Sequence, residues 1–117
     1  MNFSIKTDAE ILAYANPFLD NMINASNELD YQKFSKDLSK TMKNAFSKSD
    51  FIEQQMALQE KVGDIDINRE FVRCIRRQQG VSILWVTHFE KIDGEVLAAI
   101  QMDEEDGQMK ILAARIS

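Results

Sequence analysis

Hydrophobic positions recur along the chain at two different spacings, which divide it into a helical first half and a stranded second half. Up to Gly63, apolar residues return every three or four positions, as on one face of an amphipathic helix. After Gly63, apolar and polar residues alternate, which is typical of strands. This order predicts an α+β fold with helices packed on a four-stranded antiparallel sheet. We expect a single domain over 1–117, with helices at about 8–62 and the sheet at about 65–117.

Three helices are predicted in the first half. The first begins at Thr7, which has capping-box spacing to Glu10. Pro17 lies inside this helix and is expected to kink or split it, because proline lacks a backbone N–H. The second helix is predicted over about 30–45 and the third over about 47–62.

Four strands are predicted in the second half. They cover about 67–77, 81–91, 95–102 and 109–116. Asp93–Gly94 and Asp106–Gly107 have the composition of two-residue hairpin turns, which require positive φ at both positions. The first turn would place Trp85 opposite Met102, and the second would place Met102 opposite Ile111. These two turns therefore fix which side chains share a face of the sheet.

The predicted register directs one face of the sheet towards the helices. Its residues and the aromatic residues of the helices would form a common interior, in which large side chains face small ones. Such an arrangement either interdigitates as an ordinary core or leaves a small apolar pocket. The candidates for lining this pocket are Tyr14, Phe18, Tyr31, Trp85, Thr87, Phe89, Ala98, Ile100 and Arg115. Arg115 would lie at the pocket mouth or extend to water.

The opposite face of the sheet is also largely apolar, although a sheet with one face in water should show polar alternation there. We therefore expect this second face to be covered. A second copy of the chain, related by a two-fold axis, would cover it. The alternative is that a kinked first helix wraps around the sheet edge. The candidates for the dimer face are Leu84, Val86, His88, Leu97, Ala99, Leu112 and Ala114.

Composition narrows the classes of partner. The chain has 19 acidic and 14 basic residues, so its net charge of −5 argues against a nucleic acid partner. No apolar stretch is long enough to span a membrane. No signal peptide is visible, so we expect a cytoplasmic protein, or an extracytoplasmic one if a leader has been removed. No nucleotide-binding or common hydrolase motif occurs, and we expect no cofactor.

Few side chains in the sequence are candidates for chemistry. His88 is the only histidine, and it is either catalytic or an interface or surface residue. Cys74 is the only cysteine, and it is either a reactive thiol near cations or a small buried hydrophobic residue. Arg73, Arg76 and Arg77 could bind an anion, but their alternation along a strand favours a solvated strand end. One histidine and one cysteine do not make a metal site.

Three segments resemble the NTF2-like (cystatin-like) superfamily, closest to its small bacterial and archaeal domains of unknown function. They are Asp30–Phe34, Val81–Lys91 and Met102–Ile111, in that order along the chain. The resemblance implies a curved sheet wrapping around the helices, often a pocket between them, and frequent dimerisation. The superfamily includes ketosteroid isomerase, scytalone dehydratase and many non-catalytic binding modules. The Asp and His dyads of its enzymes have no counterpart in this chain.

Two functions follow as hypotheses. The first is a non-catalytic module that binds a small apolar ligand or a protein, which the apolar sheet faces and the missing catalytic dyad favour. The second is a small pocket enzyme of the isomerase or dehydratase type, with Tyr14, Tyr31 or Asp30 as its base. The resemblance to close family members suggests a third role, as an accessory domain of secreted or envelope-bound proteins.

Overall fold

Five helical segments precede four strands in the structure, a computed structural model that describes all residues 1–117. The helical segments are a 3₁₀ turn at Phe3–Ile5, α1 (Asp8–Glu28), α2 (Tyr31–Ser35), α3 (Lys40–Ala45) and α4 (Lys48–Val62). The strands are β1 (Glu70–Arg76), β2 (Val81–Thr87), β3 (Val96–Glu105) and β4 (Gln108–Ile116). They form one antiparallel sheet in the order β1-β2-β3-β4. The predicted α+β class is confirmed.

The first helix begins at the predicted capping box. The Thr7 side chain accepts from the backbone N–H of Glu10, and the Glu10 side chain accepts from the N–H of Thr7. The helix continues through Pro17 without a break, so the predicted split does not occur. Pro17 is exposed, while Ala15 and Leu19 beside it are fully buried. Packing of the opposite side of α1 therefore holds the helix together across the missing hydrogen bond.

The predicted second helix is two short helices instead of one. Between them, the backbone N–H of Ser39 donates to the carbonyl of Ile111 at 2.8 Å, and the N–H of Ile111 donates to Asp37 at 2.8 Å. Leu38 is buried by this pairing with β4. The Ser39 side chain then caps α3 by accepting from the N–H of Met42. A tertiary contact with the sheet edge has overridden the helical periodicity of the segment.

One face of the sheet packs against the helices and forms the core. Trp85 and Ala98 are paired across β2 and β3, and both are fully buried on this face. The residues from α1 in the same hydrophobic core are Ile11, Ala15, Leu19, Met22, Ile23 and Ala25. Trp85 therefore projects towards the helical layer, as its place in the strand alternation predicts.

The register of β2 and β3 differs by four residues from the prediction. Trp85 pairs with Ala98 and not with Met102, and β2 ends at Thr87, so Asp93–Gly94 lies in a longer connection. The chain after Thr87 pairs instead with the segment that follows α4. There, the N–H of Asp66 donates to His88, and the N–H of Glu90 donates to Asp64, both at 2.9 Å. Because a shift of four is even, each β2 residue keeps its predicted face.

The register of β3 and β4 agrees with the prediction up to Ile111 and is wrong beyond it. Asp106 and Gly107 both have positive φ and form the two-residue turn, and Met102 pairs with Ile111. An irregularity between Gln101 and Met102 then gives β4 one extra residue, at Leu112. This bulge exchanges the two faces of the rest of the strand.

The bulge moves two candidate residues, Ala114 and Arg115, to the other side of the sheet. Ala114 pairs with Ile100 and faces the helices, so it does not belong to the predicted dimer face. Ala113 and Arg115 pair with Gln101 and Ala99 on the outer side, and both are exposed. The assignment of Arg115 to the helix side is therefore corrected.

Candidate functional site

An apolar cleft of about 420 Å³ lies between the helices and the last residues of β4. We refer to it as the apolar cleft. Nine of its thirteen lining residues are hydrophobic, which is the usual character of a small-molecule site. The lining comprises Met22, Ser26, Phe34, Met42, Ala45, Phe46, Gln54, Gln55, Leu58, Ile65, Ala114, Arg115 and Ile116.

Local features of the chain explain why space remains in this position. The bulge at Leu112 turns Ala114 and Ile116 towards the helices, and the small Ala114 side chain fills little of the volume there. On the helical side, the Phe34 and Phe46 rings lie in edge-to-face contact at 6.1 Å. These stiff side chains form a wall that does not collapse into the space.

Phe46 is held in place by its neighbours in the helical layer. The Tyr31 hydroxyl donates to the Phe46 carbonyl at 2.7 Å. The buried Phe51 ring lies 4.5 Å from Phe34 and 6.3 Å from Phe46, measured between ring centroids. The aromatic wall is therefore a preformed part of the fold.

Most of the predicted pocket residues lie elsewhere. Trp85, Thr87, Ala98 and Ile100 are fully buried in the close-packed core, and none of them lines the apolar cleft. The Thr87 hydroxyl is 2.6 Å from the Asp66 carbonyl, to which it donates, so its polar atom is satisfied within the core.

The remaining predicted pocket residues are divided between core, surface and cleft. Phe18 and Phe89 are partly buried against the core, and Tyr14 is exposed on α1. Tyr31 supports the aromatic wall without lining the cleft. Arg115 is the one predicted pocket residue among the lining residues.

A second cleft, of about 430 Å³, lies between α1 and the start of β1, and we refer to it as the polar cleft. Its lining comprises Asn16, Asp20, Ile67, Asn68, Arg69, Phe71 and Trp85. Sequence reasoning did not predict this cleft. The available signals were the pair of polar residues Asn16 and Asp20, which lie one turn apart on α1, and Trp85, a predicted pocket residue that contributes to this lining.

Arg69 is the best-fixed polar side chain of the polar cleft. Its Nη1 donates to an Asp20 carboxylate oxygen and to the Ile67 carbonyl, and its Nη2 donates to the carbonyl and the side-chain oxygen of Asn16. The guanidinium carbon also lies 6.0 Å from the centre of the Trp85 ring, at the outer limit of a cation–π contact. The side chain is 12% exposed, so the charge is largely buried and is paired with Asp20.

The outer face of the sheet carries no helix, and its centre is apolar. We define the outer face by Leu84, Val86, Leu97 and Ala99, which alternate with core residues along β2 and β3. Leu97 is 44% exposed, and the other three are partly buried. These four were predicted for the dimer face. His88 lies beyond the end of β2 and is exposed, and Leu112 is partly buried at the bulge.

The cysteine and the arginines that were candidates for a reactive or anion-binding site do not form a common site. Burial raises the pKa of the Cys74 thiol to about 11, so it is protonated at neutral pH and is not an activated nucleophile. Arg76 donates to the carbonyls of Phe3 and Lys6 and so ties the N-terminal segment to β1. Arg77 donates to the Ser82 hydroxyl at 2.7 Å. The arginines therefore do not form one anion site.

Comparison with known proteins adds no family to these observations. No protein-family model matches the chain, and no curated protein matches it. No three histidine, cysteine, aspartate or glutamate side chains are grouped in a way that could hold a metal ion. None of the helices has the length and apolar character that a membrane crossing requires.

Proposed function

We propose that this protein is a non-catalytic binding module of the NTF2-like type, whose apolar cleft holds a small apolar ligand. The single observation that supports this function is the cleft itself, about 420 Å³ in volume and lined mainly by hydrophobic side chains. That volume falls within the range of about 300–1,000 Å³ that is usual for small-molecule sites. The helix-then-sheet order of the fold is compatible with the NTF2-like resemblance.

The polarity of the lining favours a neutral ligand. Its side chains include a serine and two glutamines, but no acidic or lysine residue. Arg115 is the one charged lining residue, and it belongs to the outer side of β4 by its pairing with Ala99. An ionised ligand group inside the cleft, away from Arg115, would lose its hydration without gaining a charged partner.

The side chains considered as catalytic bases all have other surroundings. Tyr14 is exposed, and the Tyr31 hydroxyl donates to the Phe46 carbonyl. The Asp30 carboxylate accepts from the backbone N–H of Lys33 as the cap of α2. A general base must reach the ligand with its titrating atom, and none of these three residues lines the apolar cleft. These contacts favour binding over the isomerase or dehydratase alternative.

Filling the apolar cleft should strongly weaken ligand binding. In Ala114→Leu, a larger side chain would occupy the space that Ala114 leaves between β4 and the helices. We expect the affinity for the neutral fluorescent probe N-phenyl-1-naphthylamine to fall at least about tenfold, because lost contact area and steric exclusion act together. The measurement is probe fluorescence titrated with wild-type and variant protein.

Ala57→Leu is the matched control, since Ala57 is exposed on α4 and does not line the cleft. It should bind the probe as the wild type does. Circular dichroism of each variant verifies the fold. A folded Ala114→Leu variant with unchanged probe affinity, or a wild type that does not bind the probe, would contradict the proposed ligand site.

A second proposed function is self-association through the outer face, which the exposure of Leu97 specifically favours. The centre of the outer face is apolar, and the charged side chains Glu70, Arg73 and Arg115 lie beside it on the same side of the sheet. Two copies can place the apolar centre against itself around a two-fold axis, with these charges at its margin. Water-exposed apolar surface of this kind is the usual mark of an interaction site.

A charge on the outer face should dissociate the dimer. In Leu97→Glu, each copy would bury a carboxylate without a charged partner in an apolar interface. We expect the wild type to have twice the 13.5 kDa chain mass by light scattering during gel filtration, and the variant to have the single-chain mass. Met56→Glu, on the exposed side of α4, is the control and should remain dimeric. A monomeric wild type at about 100 μM, where a Kd in the micromolar range gives mostly dimer, rules this interface out.

A further inference from the structure

The polar cleft combines apolar and hydrogen-bonding groups in a way that the apolar cleft does not. Ile67 and Phe71 line it, and each is 39% exposed despite its apolar side chain. Beside them lie the side-chain amides of Asn16 and Asn68. A ligand for this cleft therefore needs one apolar surface and an edge of polar groups.

The hydrogen bonds of Arg69 leave unused polar atoms of both kinds around the cleft. The Asn16 side-chain oxygen accepts from Arg69 at 3.2 Å, so the amide nitrogen of Asn16 is left as a donor. Arg69 contacts one carboxylate oxygen of Asp20 and leaves the other as an acceptor. The backbone N–H of Asn68 donates to the Asp66 carboxylate, and its carbonyl accepts from the Thr87 hydroxyl. The side-chain amide of Asn68 makes no hydrogen bond within the protein.

The polar cleft carries one positive and one negative side chain, so it has no net charge. Arg69 and Asp20 are its only ionised side chains, and they form a salt bridge with each other. An anionic ligand would have to compete with Asp20 for Arg69, and a cationic ligand would have to compete with Arg69 for Asp20. A neutral ligand leaves this pair intact.

We propose that the polar cleft is a second binding site, independent of the apolar cleft, for a neutral sugar ring. Hydroxyl groups both donate and accept, so adjacent hydroxyls satisfy the mixed donors and acceptors of Asn16, Asp20 and Asn68. The C–H face of a pyranose is apolar and fits against Phe71. The cleft volume of about 430 Å³ is at the lower end of the range for small-molecule sites, and suits one ring.

The experiment is an NMR titration of the full chain, in which backbone amide shifts are followed with a panel of neutral methyl glycosides. The panel contains the methyl pyranosides of glucose, galactose, mannose and N-acetylglucosamine. We expect at least one to bind with a Kd of about 1–10 mM, since one ring in an open cleft makes few contacts. The shifts should be largest at Asn16, Asp20, Asn68 and Arg69. Three comparison ligands are titrated in the same way: glucuronate as an anion, glucosamine as a cation and uracil as a flat neutral ring.

Two variants test whether the predicted contact residues bind the sugar. Asn68→Ala removes an exposed side chain that makes no bond within the protein, and Phe71→Ala removes the exposed ring. Each should weaken binding about fivefold to tenfold, the usual effect of losing one hydrogen bond or one apolar contact. Asn24→Ala is the control, because Asn24 is exposed on α1 outside the cleft and should leave binding unchanged.

Three results would overturn the proposal. One is the absence of shifts at the polar cleft with every neutral glycoside at about 50 mM, a concentration that exceeds the expected Kd. Another is tighter binding of glucuronate, glucosamine or uracil than of any neutral glycoside. The third is wild-type affinity in both Asn68→Ala and Phe71→Ala.

Discussion

Trp85→Ala should lower the free energy of unfolding by about 4 kcal/mol, the largest effect we expect from any single substitution. Trp85 is 1% exposed and is among the largest fully buried side chains, beside Ala98 of β3 on the face of the sheet that packs against the helices. Its neighbours in the sheet are fixed by backbone pairing, so they cannot move in to fill the space. Natural domains of this size are stable by about 5–15 kcal/mol, and this one change removes a large part of that.

Urea unfolding followed by far-ultraviolet circular dichroism measures this loss, because Trp85 is the only tryptophan and its fluorescence disappears with the substitution. Tyr14→Ala is the matched control. Tyr14 is also aromatic and was also predicted to face the interior, but it is 42% exposed on α1. Its removal should change the unfolding free energy by less than about 1 kcal/mol. Similar losses in the two variants would show that the assignment of the core is wrong.

Gly80→Ala should destabilise the protein by roughly 3 kcal/mol, for a reason that involves the backbone and not a side chain. Gly80 has a φ of +76°, where an L-residue is strained. A Cβ atom there would also lie 2.3 Å from the carbonyl oxygen of Met102, which the pairing of β2 with β3 holds in position. The β1–β2 connection or the sheet itself must shift to accept it.

Gly94→Ala separates the backbone strain at positive φ from the contact with the Met102 carbonyl. Gly94 has a φ of +98°, but a Cβ atom at this position would have no other atom within 4 Å. This variant should lose about 1–2 kcal/mol from the strain alone. The difference between the two variants, measured by urea unfolding, gives the effect of the contact with Met102. Equal losses, within about 0.5 kcal/mol, would exclude that contact.

The predictions that depend on local chemistry are confirmed by the structure. Thr7 and Glu10 form the predicted capping box, and α4 (Lys48–Val62) agrees with the helix predicted over about 47–62. Asp106 and Gly107 form the predicted two-residue turn. Each of these features is decided by residues within a few positions of one another, so the sequence contains all the information required.

The predictions that depend on distant contacts were less successful. Asp93–Gly94 has the same composition as Asp106–Gly107, but it does not form a two-residue hairpin. Backbone pairing with the segment after α4 draws residues 88–91 away from β3. Similarly, the sequence of β4 does not reveal the bulge at Leu112. Apolar residues would face the helices both in the predicted register and in the observed one.

The sequence by itself determined the class of the fold, the start of the first helix, one hairpin turn and the inward direction of Trp85, since period and capping act over short distances. Only the tertiary structure decided which residues surround open space. The apolar cleft depends on the bulge that turns Ala114 inward, and the polar cleft on Arg69 reaching Asn16 and Asp20 of α1. A cleft is the volume that side chains from separate elements fail to fill, and this volume is set by how those elements pack together.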